Sequence, residues 1–280
     1  MTERSEPTSG RNRGGRGLRV GRATAVTLLT GVLGGAAVLA GEAVLARNRR
    51  YAQPQLGLAL RSTVGRPGAL RLRLVLLGDS SALGVGVDRV ADTVGGQLAR
   101  LLSEGVGGPP GGGERQVFLT SVAVSGSRST DLATQVARAL LGERPDVAVI
   151  LIGANDATAA RRPVEIAANL GAAVHRLREA GVEVVVGTCP DLGAVRAIAP
   201  PLRQVAGWLG RRTARAQASA ALDAGGTVVD LGADTGPVFR ADAGTLCHDG
   251  FHPSADGYRV WAYALLPAVS AAARLATRRP

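Results

Sequence analysis

The stretch LRLVLLGDSS (residues 72–81) decides the fold. Its first six residues are too few for a helix, and their mostly apolar run reads as a strand buried on both faces. Gly78 and the polar residues behind it end that strand abruptly. Short apolar runs recur at residues 117–124, 147–152, 182–187 and 227–231. Between them, apolar residues three and four apart predict helices over 93–104, 131–141, 164–180, 202–224 and 255–276. Gly105 and Gly181 stop two of these. Such alternation predicts an α/β fold, a three-layer α/β/α sandwich around a five-stranded, mainly parallel sheet.

Composition narrows the function classes. The chain has 280 residues, 46% hydrophobic and 20% charged, which suits a packed core and excludes disorder of the whole. Every basic residue is Arg, and the net charge is +11. Much of that charge sits in the first fifty residues, whereas in the body acids and Arg are interspersed. Only 3% of residues are aromatic, and no basic stretch is interleaved with aromatics that stack bases, so nucleic acid is not an expected partner.

The N-terminus carries an address. Residues 1–22 are polar, Gly-rich and basic, and read as a disordered arm. Residues 23–41 then run without a charge, and the apolar character resumes after Glu42 as far as Ala46. At about 1.5 Å per residue, such a helix spans close to the hydrocarbon thickness of a bilayer. Residues 23–46 therefore read as an apolar helix, either a transmembrane signal anchor or a cleaved signal peptide. More Arg precede it than follow it, which puts the body outside the cytoplasmic membrane. Residues 47–69, with Pro54, Gly57, Gly65, Pro67 and Gly68, read as a linker to a domain over 70–280. Cys189 and Cys247 fit an oxidising compartment either as a disulfide or as two thiols.

In parallel sheets, functional groups collect at the carboxyl ends of the strands. Three such ends carry Gly78-Asp79-Ser80-Ser81, Ser125-Gly126-Ser127 and Gly153-Ala154-Asn155-Asp156. A serine hydroxyl needs a base to take its proton, and the base needs a partner that fixes its tautomer. Of three histidines, His175 lies within a predicted surface helix, while His248 and His252 flank Asp249. Gly250 and Pro253 argue against a helix there, and no third ligand accompanies the two histidines, so no metal is expected. An Asp three residues before a His in a turn can reach Nδ1, which leaves Nε2 for a hydroxyl. By spacing alone, Ser81 rivals Ser80 as that hydroxyl.

GDS after the first strand, Gly126 after the second, GxND after the third and DxxHP before the last helix resemble the four blocks of the SGNH (GDSL-type) hydrolase superfamily. The resemblance covers the whole body. It implies Ser80 as nucleophile, His252 as general base and Asp249 as its orienting carboxylate. It further implies an oxyanion hole built from the backbone N–H of Ser80, that of Gly126 and the amide of Asn155. Asp79 reads as a local hydrogen-bond organiser. Two positions depart from the family pattern, Ser81 after GDS and Ser121 at the head of the second block.

The implied activity is a serine esterase or acylhydrolase acting on an acyl ester of a lipid or an acylated glycan, without a cofactor. The alternatives are an O-acyltransferase or deacetylase of cell-envelope glycan, and an inactive membrane-tethered binding protein of the same fold.

Overall fold

The computed structural model describes residues 35–46, 48–56, 60–106 and 114–277. The basic arm and residues 23–34 of the apolar segment lie outside the described residues. The chain divides into two compact units, Met1–Asn48 and Arg49–Pro280. In the first, helix α1 (Gly35–Ala46) forms the end of the apolar segment.

The second unit begins with strands β1 (Arg61–Val64) and β2 (Leu70–Gly78), then helices α2 (Ser80–Leu83) and α3 (Val94–Ser103). There follow β3 (Arg115–Ser121), α4 (Leu132–Ala139), β4 (Val147–Leu151), α5 (Ala154–Thr158) and α6 (Pro163–Glu179). The chain ends with β5 (Glu183–Gly187), α7 (Leu202–Asp223), β6 (Thr227–Val229), α8 (Leu231–Ala241) and α9 (Ala255–Thr277).

The sheet has six strands in the order β1-β3-β2-β4-β5-β6, one more than the sequence pattern predicts. All neighbours pair in parallel except β1, which runs antiparallel to β3. That extra strand lies inside the stretch read as a linker. Arg61, Ser62, Thr63 and Val64 lack a strand's apolar signal, and their extended state comes from pairing with Val117 to Thr120. Residues from Arg49 onward belong to the domain unit.

Helices cover the sheet as the alternation requires. Leu72, Leu74 and Leu76 point to one face, where they meet Val94, Leu98 and Leu101 of α3 and Tyr258, Trp261 and Leu265 of α9. Val75 and Leu77 point to the other, against Leu132 and Val136 of α4 and Leu170, Val174 and Leu177 of α6. Each such side chain contributes about 1.5–3 kcal/mol when fully buried. Among the described residues α9 is the one helix long and apolar enough to cross a membrane. Its apolar face is taken up by the core of the domain, as Tyr258, Trp261 and Leu265 illustrate.

The strand order places the site. β2 and β4 are neighbours in the sheet, yet β3 lies between them in sequence on the far side of β2. The chain thus changes direction at β2 and β4, and such switch points open a crevice at the strands' carboxyl ends. Here the two strands approach closely. Gly78 has φ +139°, and a Cβ on it would lie 1.7 Å from the Leu151 carbonyl oxygen. The next residue, Asp79, donates its N–H to that same oxygen at 3.1 Å. Only glycine fits.

Gly78→Ala is expected to destabilise the domain by roughly 3 kcal/mol or more in urea denaturation. Gly68→Ala is the comparison, since Gly68 shares a positive φ but has nothing within 4 Å of the added carbon. Its cost should be limited to the backbone penalty of about 1–2 kcal/mol.

Candidate active site

The turn after β2 is built by Asp79. Its Oδ1 accepts the Ser81 N–H at 2.9 Å and caps the single turn of α2. Gly84, with φ +90°, ends that turn, and the N–H groups of Gly84 and Val85 both reach the Ser80 carbonyl. Ser80 is thereby held at the carboxyl end of β2. Asp79 itself is buried, and that burial pushes its carboxyl up to about 6 against the opposing hydrogen bond from Ser81.

Residues 247–252 form a closed loop before α9. The Cys247 N–H donates to the His252 carbonyl at 2.8 Å, and the Gly250 N–H to the Cys247 carbonyl at 3.0 Å. Gly250 takes φ +67° within it. Its carbonyl accepts from the N–H groups of Arg196 and Ala197, each at 2.9 Å. The loop is also fixed relative to Ser80. Buried Tyr258 of α9 donates its hydroxyl to the Val85 carbonyl at 2.6 Å, just beyond α2.

These two segments bring three predicted residues into line. Ser80 Oγ lies 3.0 Å from His252 Nε2, and His252 Nδ1 lies 2.7 Å from Asp249 Oδ2. Ser80 rather than Ser81 meets the imidazole. An ionised carboxylate can only accept, so Nδ1 carries the proton and Nε2 is left to accept from the Ser80 hydroxyl.

Asp249 has no exposed side-chain surface. Burial alone would raise its pKa, but a set of donors outweighs it. His252 Nδ1 and the Ala52 N–H reach Oδ2. The Phe251 and His252 N–H groups reach Oδ1 at 2.7 and 2.9 Å. Together they hold the carboxyl well below the usual carboxylate range. Cys247 adds its thiol to Oδ1 at 3.1 Å. Burial pushes that thiol up to about 11, so it remains protonated and able to donate. Both cysteines are free thiols.

The other two strand ends are joined to one another. Gly126 occupies a tight turn closed by the Ser127 N–H on the Val124 carbonyl at 3.1 Å. Its φ of +81° favours glycine, and an added Cβ there would project into open space. Asn155, in the first turn of α5, donates one amide hydrogen to the Ser127 carbonyl at 3.0 Å. Its second amide hydrogen is available for another acceptor. His175 and His248 stand apart: His175 is an exposed residue of α6 beside Glu179, and His248 is exposed. Among the described residues no group of three His, Cys, Asp or Glu is arranged to hold a metal ion.

Two glutamines absent from the sequence reading hold these ends in place. Gln135 of α4 is buried; its Oε1 accepts the Gly78 N–H at 2.7 Å, and its Nε2 donates to the Gly78 carbonyl and to Ser127 Oγ. Gln217 of α7 donates to the Ile152 carbonyl at 2.8 Å and accepts from the Cys189 N–H at 2.7 Å. Each interrupts an otherwise small or apolar buried stripe, Leu132-Gln135-Val136 on one helix and Ala214-Gln217-Ala221 on the other. That interruption is the signal in the sequence. Beside Ser81 and His252 lies a cavity of about 30 Å³, lined by Leu192, Val195, Phe239 and Trp261 among others. Trp208 of α7 is half-exposed and carries Arg212 over its ring.

The chain is similar to known proteins in sequence and in fold. The family profile described as GDSL-like Lipase/Acylhydrolase matches residues 76–260. The GDSL-like esterase Rv1075c of Mycobacterium tuberculosis is 42% identical over 189 residues, which cover 67% of this chain and 58% of that protein. The chain therefore spans less than two thirds of that relative's length. Among solved structures, LAE5, an alpha/beta hydrolase enzyme from the metagenome of Lake Arreo, Spain, matches with a TM-score of 0.56. It is 22% identical and covers 72% of this chain and 96% of its own. A member of the lipolytic protein G-D-S-L family from Veillonella parvula gives 0.55 at 15% identity, covering 71% of this chain and 98% of its own. At such identities the two structures speak for the fold alone.

The buried Asp79 yields a pH-dependent expectation. Its carboxyl titrates at about 6 in the folded chain, above its value when unfolded, so the native state binds the extra proton and loses stability as pH rises through that interval. Asp79→Asn keeps the cap and removes the charge. Thermal melts should show the variant stabilised at pH 8, by on the order of 2 kcal/mol, and little changed at pH 4.

Proposed function

The chain belongs to the GDSL-like lipase/acylhydrolase family, and from that premise we propose that it is a serine esterase working through an acyl-serine intermediate. The observation that carries this reading is the unbroken line from Ser80 Oγ through the His252 ring to Asp249 Oδ2, with contacts of 3.0 and 2.7 Å. Ser80 Oγ attacks the ester carbonyl carbon while His252 Nε2 takes the hydroxyl proton. The new C–O bond pushes the carbonyl electron pair onto oxygen. That oxyanion is received by the N–H groups of Ser80 and Gly126 and the free amide hydrogen of Asn155. Collapse breaks the bond to the alcohol, which leaves with the proton from His252. Water then attacks the acyl-serine, gives its proton to the same nitrogen, and the acid departs as Ser80 recovers its hydrogen.

Asp249 keeps the ring oriented and stabilises the imidazolium formed midway. Its many donors suit that role, since a carboxylate held far below its usual range stays ionised throughout. The small cavity beside Ser81 and His252, lined by Leu192, Val195, Phe239 and Trp261, supports small acyl substituents. The uncharged run over residues 23–41, with more Arg before it than closely after it, supports a domain outside the cytoplasmic membrane, tethered there or released by cleavage.

Ser80→Ala should abolish both p-nitrophenyl acetate turnover and labelling by a fluorophosphonate while circular dichroism stays unchanged. Asn155→Ala should lower kcat by roughly 10²–10³. Across an ester series, kcat/KM should be highest for acetyl and fall steadily toward octanoyl. Absence of both turnover and labelling in the wild-type chain at pH 7–8 would overturn the reading.

A further inference from the structure

We propose that Tyr51 and Ala52, in the segment ahead of the sheet, form a positioning strap for Asp249; this rests on the esterase reading above. The Ala52 N–H donates to Asp249 Oδ2 at 2.9 Å, across 197 positions of sequence. That oxygen is the one that also holds His252 Nδ1, at 2.7 Å.

The other donors to this carboxylate differ in kind. Cys247, Phe251 and His252 all lie within two or three residues of Asp249 and move with it. They set the shape of the turn, but none of them relates the turn to a distant part of the chain. The Ala52 N–H does, and it acts on the oxygen that aims the imidazole at Ser80. Neighbouring contacts anchor the strap from both sides. The Tyr51 ring stands edge-on to Phe251, with centroids 5.2 Å apart, and to His252 at 6.5 Å. Ala52 and Leu56 pack against the core cluster that contains Leu83 and Val85, next to the nucleophile turn. The strap thus touches the base's loop, and the same segment reaches the nucleophile's turn through Leu56, whose Cδ1 lies 3.7 Å from the place of a Cβ on Gly84.

The test uses the full chain and removes only the donor. Ala52→Pro has no N–H, whereas Ala52→Gly keeps it. With p-nitrophenyl acetate, Ala52→Pro should lower kcat about tenfold or more with KM within twofold of wild type, as expected when an interaction specific to the transition state is lost. Fluorophosphonate labelling of Ser80 should slow in proportion, and Ala52→Gly should restore both rates to within twofold. Should the proline variant fail to fold, an amide-to-ester exchange between Tyr51 and Ala52 deletes the same hydrogen and keeps the side chains, and the same losses are expected of it. A folded variant without this N–H that keeps wild-type kcat overturns the strap. A wild-type chain that is never labelled at Ser80 overturns the esterase reading instead, so the two failures are distinct.

Discussion

A carboxylate removed from water has to be surrounded by donors, because burying an unpaired charge costs more than a domain's whole net stability. Asp249 imposes that requirement on the candidate site. Its two oxygens gather three backbone N–H groups, a thiol and an imidazole. The tight loop over residues 247–252, with glycine at position 250 in a left-handed conformation, is the shape that lets one short segment supply most of them. The imidazole then has a single orientation, and Tyr258 reaching Val85 brings the Ser80 turn to meet it.

The strand ends pose a second problem of satisfaction. Where a parallel ladder runs out inside the protein, backbone N–H and C=O groups lose their partners without gaining water. A glutamine amide offers both a donor and an acceptor. Gln135 serves the end of β2 from one helix, and Gln217 links the ends of β4 and β5 from another. The loops that leave these strand ends are thereby tied to the sheet. Asp79 is a local exception to stability, a buried acid beside Ser80 whose charge is disfavoured by burial. Such conflicts between stability and local chemistry gather at functional sites.

Much of this was legible because the elements concerned carry strong local signals. β2, β4 and β5 are buried on both faces, and each reads as a short apolar run. Ser80, Asp249 and His252 sit in blocks whose order and spacing match a family, and the fold brings the three together. β1 escaped because Arg61, Ser62 and Thr63 have no strand signature of their own; a partner strand makes them extended. α8 escaped because Gly232, Gly236 and Pro237 oppose a helix that the Asp230 cap and tertiary packing nevertheless sustain. The contact from Ala52 to Asp249 uses a backbone N–H, and no side-chain identity announces such a donor.

The orientation of β1 has a topological consequence. Because it runs opposite to β3, with Arg61 beside Thr120 and Val64 beside Val117, its first residue lies toward the end of the sheet where the parallel strands finish. The polypeptide therefore enters this domain at the mouth of the crevice and not at its back. The polarity of one four-residue edge strand thus suits a lead-in segment whose Tyr51 and Ala52 lie against His252 and Asp249.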